Sequence, residues 1–447
     1  MSGIVDFPVK PEARPYLEAF GRGAFIGAPH EPDWLAGYRK ASLARFAELG
    51  FPSRRGEAWR YIDLRPLEAR PMLPARSTER ASVGAAMRAR LAEISLAEAT
   101  HRLVLVDGRF APELSALDRL PAGVWFGPTA AAIDERPDLV RSRLETPPLD
   151  PARPFTALNG AFFADGFVLD IAPGIALERP LEILHLASAD AGASLHTRSL
   201  VVAGEGSRAA VIESFAGAGA YWRNDVVELR LAPGAKLARA TLVEESAEAV
   251  HFAEVLATLG ATSRLSSFVL LLGGRTVRHE ITVRSEGERS RCDLGGAFLL
   301  SGRQEANILT TVDHAAPAGE TRENFKGVAT GRAHGAFQGQ ITVRPGAQKV
   351  DAHQLSRNLV LSRRAAIDTK PELEIHADDV KCSHGAAVGD LDEAALFYLR
   401  ARGIPNPEAR RILIEAFVRE AVEIVDPVPV REHLLSRIAH RLASLEE

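Results

Sequence analysis

From about Ala157 to Gly389 the chain runs through short apolar or alternating segments, "FVLDIA", "LEILHLA", "SLVVAG", "AAVIESF", "DVVELRLA", "SFVLLL", "GQITVR", "NLVLS" and "ELEIHA", with no helical pattern of ten or more residues between them. Parallel strands joined in βαβ units need a crossover of roughly a dozen residues or more, usually a helix. Without such helices, a doubly wound α/β fold is excluded. Glycines at 174, 206, 234, 260 and 287 punctuate the strands 26 to 32 residues apart, an approximate repeat. Short strands with turns at a near-constant period point to a β-helix or another stacked-strand solenoid, with a β-sandwich as the alternative.

The flanks read differently. "DWLAGYRKASLARFAELG" places Leu35, Tyr38, Phe46 and Leu49 on one helical face, and "ERASVGAAMRARLAEI" is rich in helix formers. Between them, Phe51 to Leu67 ("FPSRRGEAWRYIDLRPL") is neither periodic nor low in complexity, and "TPPLDPARPF" from Thr146 to Phe155 marks a boundary. After Gly389, Asp390 with Glu393 three residues later predicts a capped helix presenting Leu391, Ala394, Ala395, Tyr398 and Leu399, closed by Gly403. A second helix starts at Asn406 and Pro407, and a third uses Leu434, Leu435, Ile438 and Leu442. The expected architecture is mainly β with α flanks: an N-terminal, mostly helical domain over 1–155, a β core over 156–389 and a C-terminal helical domain over 390–447.

With 46% hydrophobic and 25% charged residues and a net charge of −4, the chain has the composition of an ordinary globular protein, with no reason to expect nucleic acid or an anionic membrane as partner. Neither a secretory signal nor an apolar run of membrane-spanning length is visible. Only Cys292 and Cys382 occur, too few for a disulfide framework or a four-cysteine metal site within one chain. Cys292 reads as a small buried hydrophobe.

Known motifs are few. "GEGSRA" at Gly204 to Ala209 matches G-x-G-x-x-A, but a strand pattern follows instead of the helix a dinucleotide site needs, so a turn is expected. No P-loop, H-E-x-x-H or G-x-S-x-G occurs. Thr310 to Val343 is dense in His, Asp, Glu, Arg and Lys, and reads as a solvated rim rather than a polysaccharide-cleaving cleft. "KCSH" remains: Cys382 and His384, two apart in a strand, share one face. They could form an activated thiol or two ligands to a soft metal, too few to complete a site alone, or an inert pair; spacing leaves these open.

The stretch "KPELEIHADDVKCSHGAAVGDLDEAALFYLRARGI" (Lys370 to Ile404) closely resembles the C-terminal signature of the SufB/SufD family of iron–sulfur cluster assembly proteins, nearest its SufD side. The likeness extends through "GAFQGQITVRPGAQKVDAHQLSRNLVLS", "LNGAFFADGFVLDI" and "FPSRRGEAWRYIDL", and so over nearly the whole chain. It implies a right-handed parallel β-helix core between helical domains, in a cytoplasmic complex with a SufB-like subunit and two copies of a SufC-like ATPase. This chain would be a non-catalytic scaffold subunit that assists iron acquisition and cluster assembly. The β-helix would meet SufB, and residues 390–447 would dock SufC, which supplies the missing P-loop. His384, with Cys382 beside it, would be a metal-binding candidate at the SufB interface, meeting a transient iron–sulfur cluster shared with SufB. A link to reduced flavin also belongs to the family, although no flavin fingerprint is visible here. SufB-like members carry more cysteines for sulfur transfer, so persulfide acceptance by this chain alone is not expected. A homodimeric β-helix binding protein is the alternative, and a polysaccharide-acting enzyme a more distant one. Truncation near Gly389 would be expected to lose SufC and keep a folded β core.

Overall fold

The computed structural model describes residues 9–23, 31–74, 84–97, 99, 101–117, 120–144, 153–188 and 192–444. Its centre is a parallel β-helix of two facing sheets, each coil giving one strand to each sheet. The first sheet runs in steps of one coil from His101–Val106 through Leu181–Ala187 and Arg291–Leu300 to Lys381–Gly389. The second runs from Phe167–Ile171 to Ala366–Ile375, with Val124–Pro128 added antiparallel at its start. Within the long strands pairing is parallel and in register, as in Val250↔Thr276 to Leu259↔Ser285. Residues 1–155, read as mostly helical, therefore also contribute strands, because His101–Val106 pairs with Leu181–Ala187 and begins the first sheet. The Pro-rich boundary around Pro147 lies outside the described residues.

The turns explain the repeat. At the corner leading from the second sheet to the first, one residue per coil is left-handed: Gly174, Gly206 and Gly234, then Thr262, Arg289, Ala318 and Lys349. Each donates its backbone N–H to a carbonyl of the next corner, Gly206 to Pro233, Gly234 to Ala261 and Thr262 to Glu288, at 2.8–2.9 Å. Glycine thus marks this position only in the early coils. Gly287 is required for another reason: a Cβ there would lie 1.9 Å from Ala261 N of the coil beneath. "GEGSRA" is such a corner, between Ser194–Ala203 and Arg208–Gly217, and not a dinucleotide cradle.

The N-terminal unit covers the outside of the second sheet and, through helix Ala85–Ile94, the first strands of the first sheet, whose remainder lies under the C-terminal unit. Tyr16, Phe46, Phe51, Phe155, Trp222 and Phe252 join the N-terminal unit to the second sheet, with Phe155 and Trp222 edge to face at 5.2 Å. The aperiodic Phe51–Leu67 stretch belongs to this contact. Arg278 stacks on Trp59 at 3.8 Å and donates to Ala58 O at 2.7 Å, both residues of the single 3-10 turn Glu57–Trp59 within this otherwise irregular stretch.

The C-terminal unit comprises three helices, α1 (Glu393–Ala401), α2 (Asn406–Val422) and α3 (Val428–Ser444). Outward Leu242, Phe268, Leu270 and Leu299 of the first sheet are buried under Val418, Val422, Leu434 and Ile438. Lys326, fully buried, reaches outward to donate to Phe417 O at 2.8 Å and to Glu420 at 2.5 Å. Strands buried on both faces need apolar residues at successive positions, which is why these segments read as continuous hydrophobic runs. The expectation that the β core would stand without residues 390–447 leaves this cover out of account: without the helices these outward apolar side chains would face water. The cap of α1 is Asp392, whose carboxylate accepts from Ala394 and Ala395 N–H, and not Asp390, which bonds only its neighbour Leu391. Gly403, at φ +87, closes α1 as expected. Among the described residues no helix is long and apolar enough to cross a membrane.

Candidate functional site

Three strands build this end of the stack, β1 (Asp351–Val360) of the penultimate coil and β2 (Ala366–Ile375) with β3 (Lys381–Gly389) forming the last. β3 pairs with β1 on one side, with Ala352↔Cys382 and Gln354↔His384 in register, and is the outermost strand of the first sheet. β2 is the outermost strand of the second. Inward positions follow from the core: Cys292, Leu294 and Ala352 belong to the apolar lumen, and Cys382 packs against it. The two-residue period then turns His384 inward as well. Because the coil is terminal, its lumen opens to solvent: Cys382 is half-buried and His384 exposed. Leu355, Ile375 and Val388 at the same end are exposed apolar groups, 38%, 41% and 47% accessible.

The structure thus brings the two predicted residues to one lumen mouth without coupling them chemically. Among the described residues no hydrogen bond joins Cys382 to His384. Burial pushes the Cys382 thiol above its usual range, against the pull of the Ala352 backbone N–H and with Asp351 adding to it. It is therefore not an activated thiolate in this state. A thiol and an imidazole at an open mouth suit partial coordination of iron or of a cluster that a second chain completes. Cys292 is fully buried three coils down, and burial, then the charges of Glu323 and Asp293, raise its thiol far above the usual range.

The Thr310–Val343 stretch is not the solvated rim expected. It forms three coil strands, with His314, Glu323, Lys326 and Gln338 buried. His314 and Glu323 are buried at inward positions by the strand register, whereas Lys326 and Gln338 face outward and are buried by the C-terminal helices and the N-terminal unit that cover the sheets.

A polar network deep in the lumen was missed altogether. His185 Nε2 lies 2.9 Å from Glu213 Oε1, and Arg239 donates to Glu213 Oε2 at 2.5 Å. Arg223 donates to Glu245 at 2.6 Å, where His251 Nδ1 sits at 3.1 Å and the Tyr221 hydroxyl also bonds. Burial opposes ionisation of both carboxylates, but Arg239 with His185, and Arg223 with His251, hold Glu213 and Glu245 at about 2. Asp225 takes a short bond from Thr197 and leaves Oδ2 without a partner; burial, then the Glu213 charge, pushes it up to about 8. His185, Glu213 and Asp225 are the one group of three metal-ligand types found close together among the described residues. Arg239 already gives Glu213 its cation, so the donor set reads as internal ion pairing. The available signal was a charge at inward parity in an apolar run: His185 in "LEILHLA", Glu213 in "AAVIESF", Asp225 in "DVVELRLA".

A raised carboxyl favours folding in its protonated form, so Asp225 costs stability as pH rises from the unfolded value near 3.9 towards about 8. Asp225→Asn is expected to stabilise the chain by about 1–3 kcal/mol at pH 8 and by much less at pH 4, in urea denaturation at both pH values. An equal effect at both would show that Asp225 is ionised throughout.

Comparison with known proteins agrees with this architecture. A profile described as "SUF system FeS cluster assembly, SufBD core domain" matches residues 185–417, and one described as "SufBD protein N-terminal region" matches 12–183. The chain is 31% identical, over 93% of its length and 92% of the relative's, to an iron–sulfur cluster assembly SufBD family protein of Synechocystis. It is 29% identical to the iron–sulfur cluster assembly protein SufD of Escherichia coli over 90% and 91% of the two chains. It is also 29% identical to the chloroplastic protein ABCI7 of Arabidopsis thaliana, over 86% and 81%.

Proposed function

Because the chain belongs to the SufBD family of the SUF iron–sulfur cluster assembly system, we propose that it is the SufD-type scaffold subunit, pairing with a SufB-like chain at the open end of its β-helix. The observation that carries this reading is the position of His384 and Cys382 at an unpaired lumen mouth, between two outermost strands whose free backbone groups invite pairing with another chain. There they would meet iron, or a cluster under assembly, as cargo shared with the partner. His384 is the binding group, since neutral imidazole ligates without deprotonation; Cys382 lines the seam.

ATP hydrolysis belongs to a SufC-like partner docked on the C-terminal helices. Supporting this, α1 leaves Phe397 and Tyr398 73% and 55% accessible, while α2 and α3 are fastened to the sheet. Only Asp390 to Asp392 separate β3 from α1, so a pull on α1 reaches the KCSH strand over a short lever and opens the seam. Cross-linking a SufC pair should then increase labelling of Cys382 by a thiol reagent; unchanged labelling would sink the lever.

Co-expression with SufB- and SufC-like chains is the primary test, with a stable assembly as the expected result. His384→Ala should still fold, because His384 is exposed, and should still co-purify with both partners. Its complex is expected to lose nearly all iron and acid-labile sulfide. Wild-type cluster content in that complex would remove His384 from the site. A chain that purifies only as a self-paired dimer would favour the homodimeric binding reading.

A further inference from the structure

This inference rests on the reading of His384 as the group that meets iron. A histidine that binds a metal through one ring nitrogen works best when its other N–H is held by an acceptor, which fixes tautomer and ring orientation. The outer coils contain such an acceptor. Along one inward column Leu294, Glu323, Gln354 and His384 follow one another as direct register partners, about 4.8 Å apart per coil. Glu323 and Gln354 are 3% and 2% accessible.

Gln354 Nε2 donates to Glu323 Oε2 at 2.6 Å, and the Thr310 hydroxyl donates to the same oxygen at 3.0 Å. An amide is planar, so a nitrogen turned down the column towards Glu323 leaves the oxygen turned away from it. Gln354 Oε1 is buried and has no partner, a state that costs about 1–3 kcal/mol if left unmade. Space for this amide is specifically kept: a Cβ at Gly339 would lie 2.1 Å from Gln354 Nε2. Among the described residues Glu323 has no cationic partner, and burial raises it to about 7 against the bonds from Gln354 and Thr310. A carboxyl group this exposed to desolvation is an expensive way to fill a core, which is consistent with a use for its orientation.

We propose that Gln354 Oε1 accepts an imidazole N–H of His384, and that Glu323 anchors Gln354 in the orientation that makes this possible. Gln354 and Glu323 are then positioning residues, and His384 presents its other nitrogen outward at the lumen mouth, towards the iron.

The test uses the full chain co-purified with its SufB-like partner, since a second chain completes the site, and Co(II) alone as probe, titrated anaerobically and followed by visible absorption and calorimetry. His384→Ala should abolish the imidazole-dependent site. Gln354→Leu should weaken Co(II) binding 10–100-fold, the usual effect of removing such a partner. Glu323→Leu should weaken it similarly, and Glu323→Gln should recover most of that loss, since its carbonyl still accepts from Gln354. A purely structural role would not produce that contrast at matched melting temperature, and the Glu323 pair carries the test if Gln354→Leu does not fold. Loss of binding in His384→Ala with wild-type affinity in Gln354→Leu and Glu323→Leu would overturn the column while leaving His384 as ligand. Wild-type affinity in His384→Ala, or no Co(II) bound by the parent complex, would overturn the reading of His384 and this inference with it.

Discussion

Deleting residues 390–447 is expected to leave a β core that aggregates. The C-terminal helices cover an apolar outer face of the first sheet, and the burial is mutual: Leu242, Phe268, Leu270 and Leu299 below, Val418, Val422, Leu434 and Ile438 above. Burying a large aliphatic or aromatic side chain is worth about 1.5–3 kcal/mol. The four sheet residues alone therefore forfeit on the order of 10 kcal/mol, comparable with the whole stability of a typical domain. Lys326 would also lose the Phe417 carbonyl and Glu420, its two partners. Size-exclusion chromatography and thermal melting of residues 1–389 check this. A monomeric chain that melts cooperatively near the parent temperature would show that the helices merely rest on the sheet. The design consequence is practical: a partner-docking defect should be sought by substituting exposed Phe397 and Tyr398, which are not part of this cover.

Replacing Arg239 by Met is expected to destabilise the chain by about 3–5 kcal/mol at pH 8, the usual cost of stranding one member of a buried ion pair. Arg239 and Glu213 are 2% and 0% accessible in their side chains, and the guanidinium is the leading influence holding Glu213 ionised against burial. The loss should shrink as pH falls. Burial lowers His185, and Arg223 adds to that against the pull of Glu213; with Arg239 gone, His185 is the group still bonded to Glu213 that can supply it with a cation, and taking up that proton raises the folded pKa of His185. A raised histidine contributes stability below its unfolded value and loses it as pH climbs through the folded one. Urea denaturation of parent and variant at pH 5.5 and 8 measures the effect. A constant difference across that range would mean that His185 stays neutral and Glu213 is relieved in some other way.

The β-helix was legible because its signal is local and repeated. Short apolar strands without intervening helices admit few folds, and each coil repeats the same corner chemistry. What could not be read was which face each polar residue takes. Glu323 and His314 looked like rim residues, yet strand register places both in the lumen. The cap at Asp392 rather than Asp390 shows the same limit at short range. Both aspartates satisfy a capping pattern, and the point where β3 ends selects between them. Phe51 to Leu67 carried no period because its contacts lie far along the chain, at Arg278 and Phe252.

The sequence by itself determined the solenoid core, the helical flanks, the pairing of Cys382 with His384 on one strand face, and through the KCSH signature the family. Each depends on spacing within one strand, one turn or one motif, where the chain is its own neighbour. Only the tertiary structure decided that the KCSH strand closes the stack, so that its lumen face is open, and that Gln354 and Glu323 stand beneath His384. It alone decided that a sealed set of arginines, glutamates and histidines fills the inner coils, and that the last helices are part of the core's cover. Those facts come from residues about 30 apart becoming neighbours at one strand spacing, and from which strand is left without a next coil.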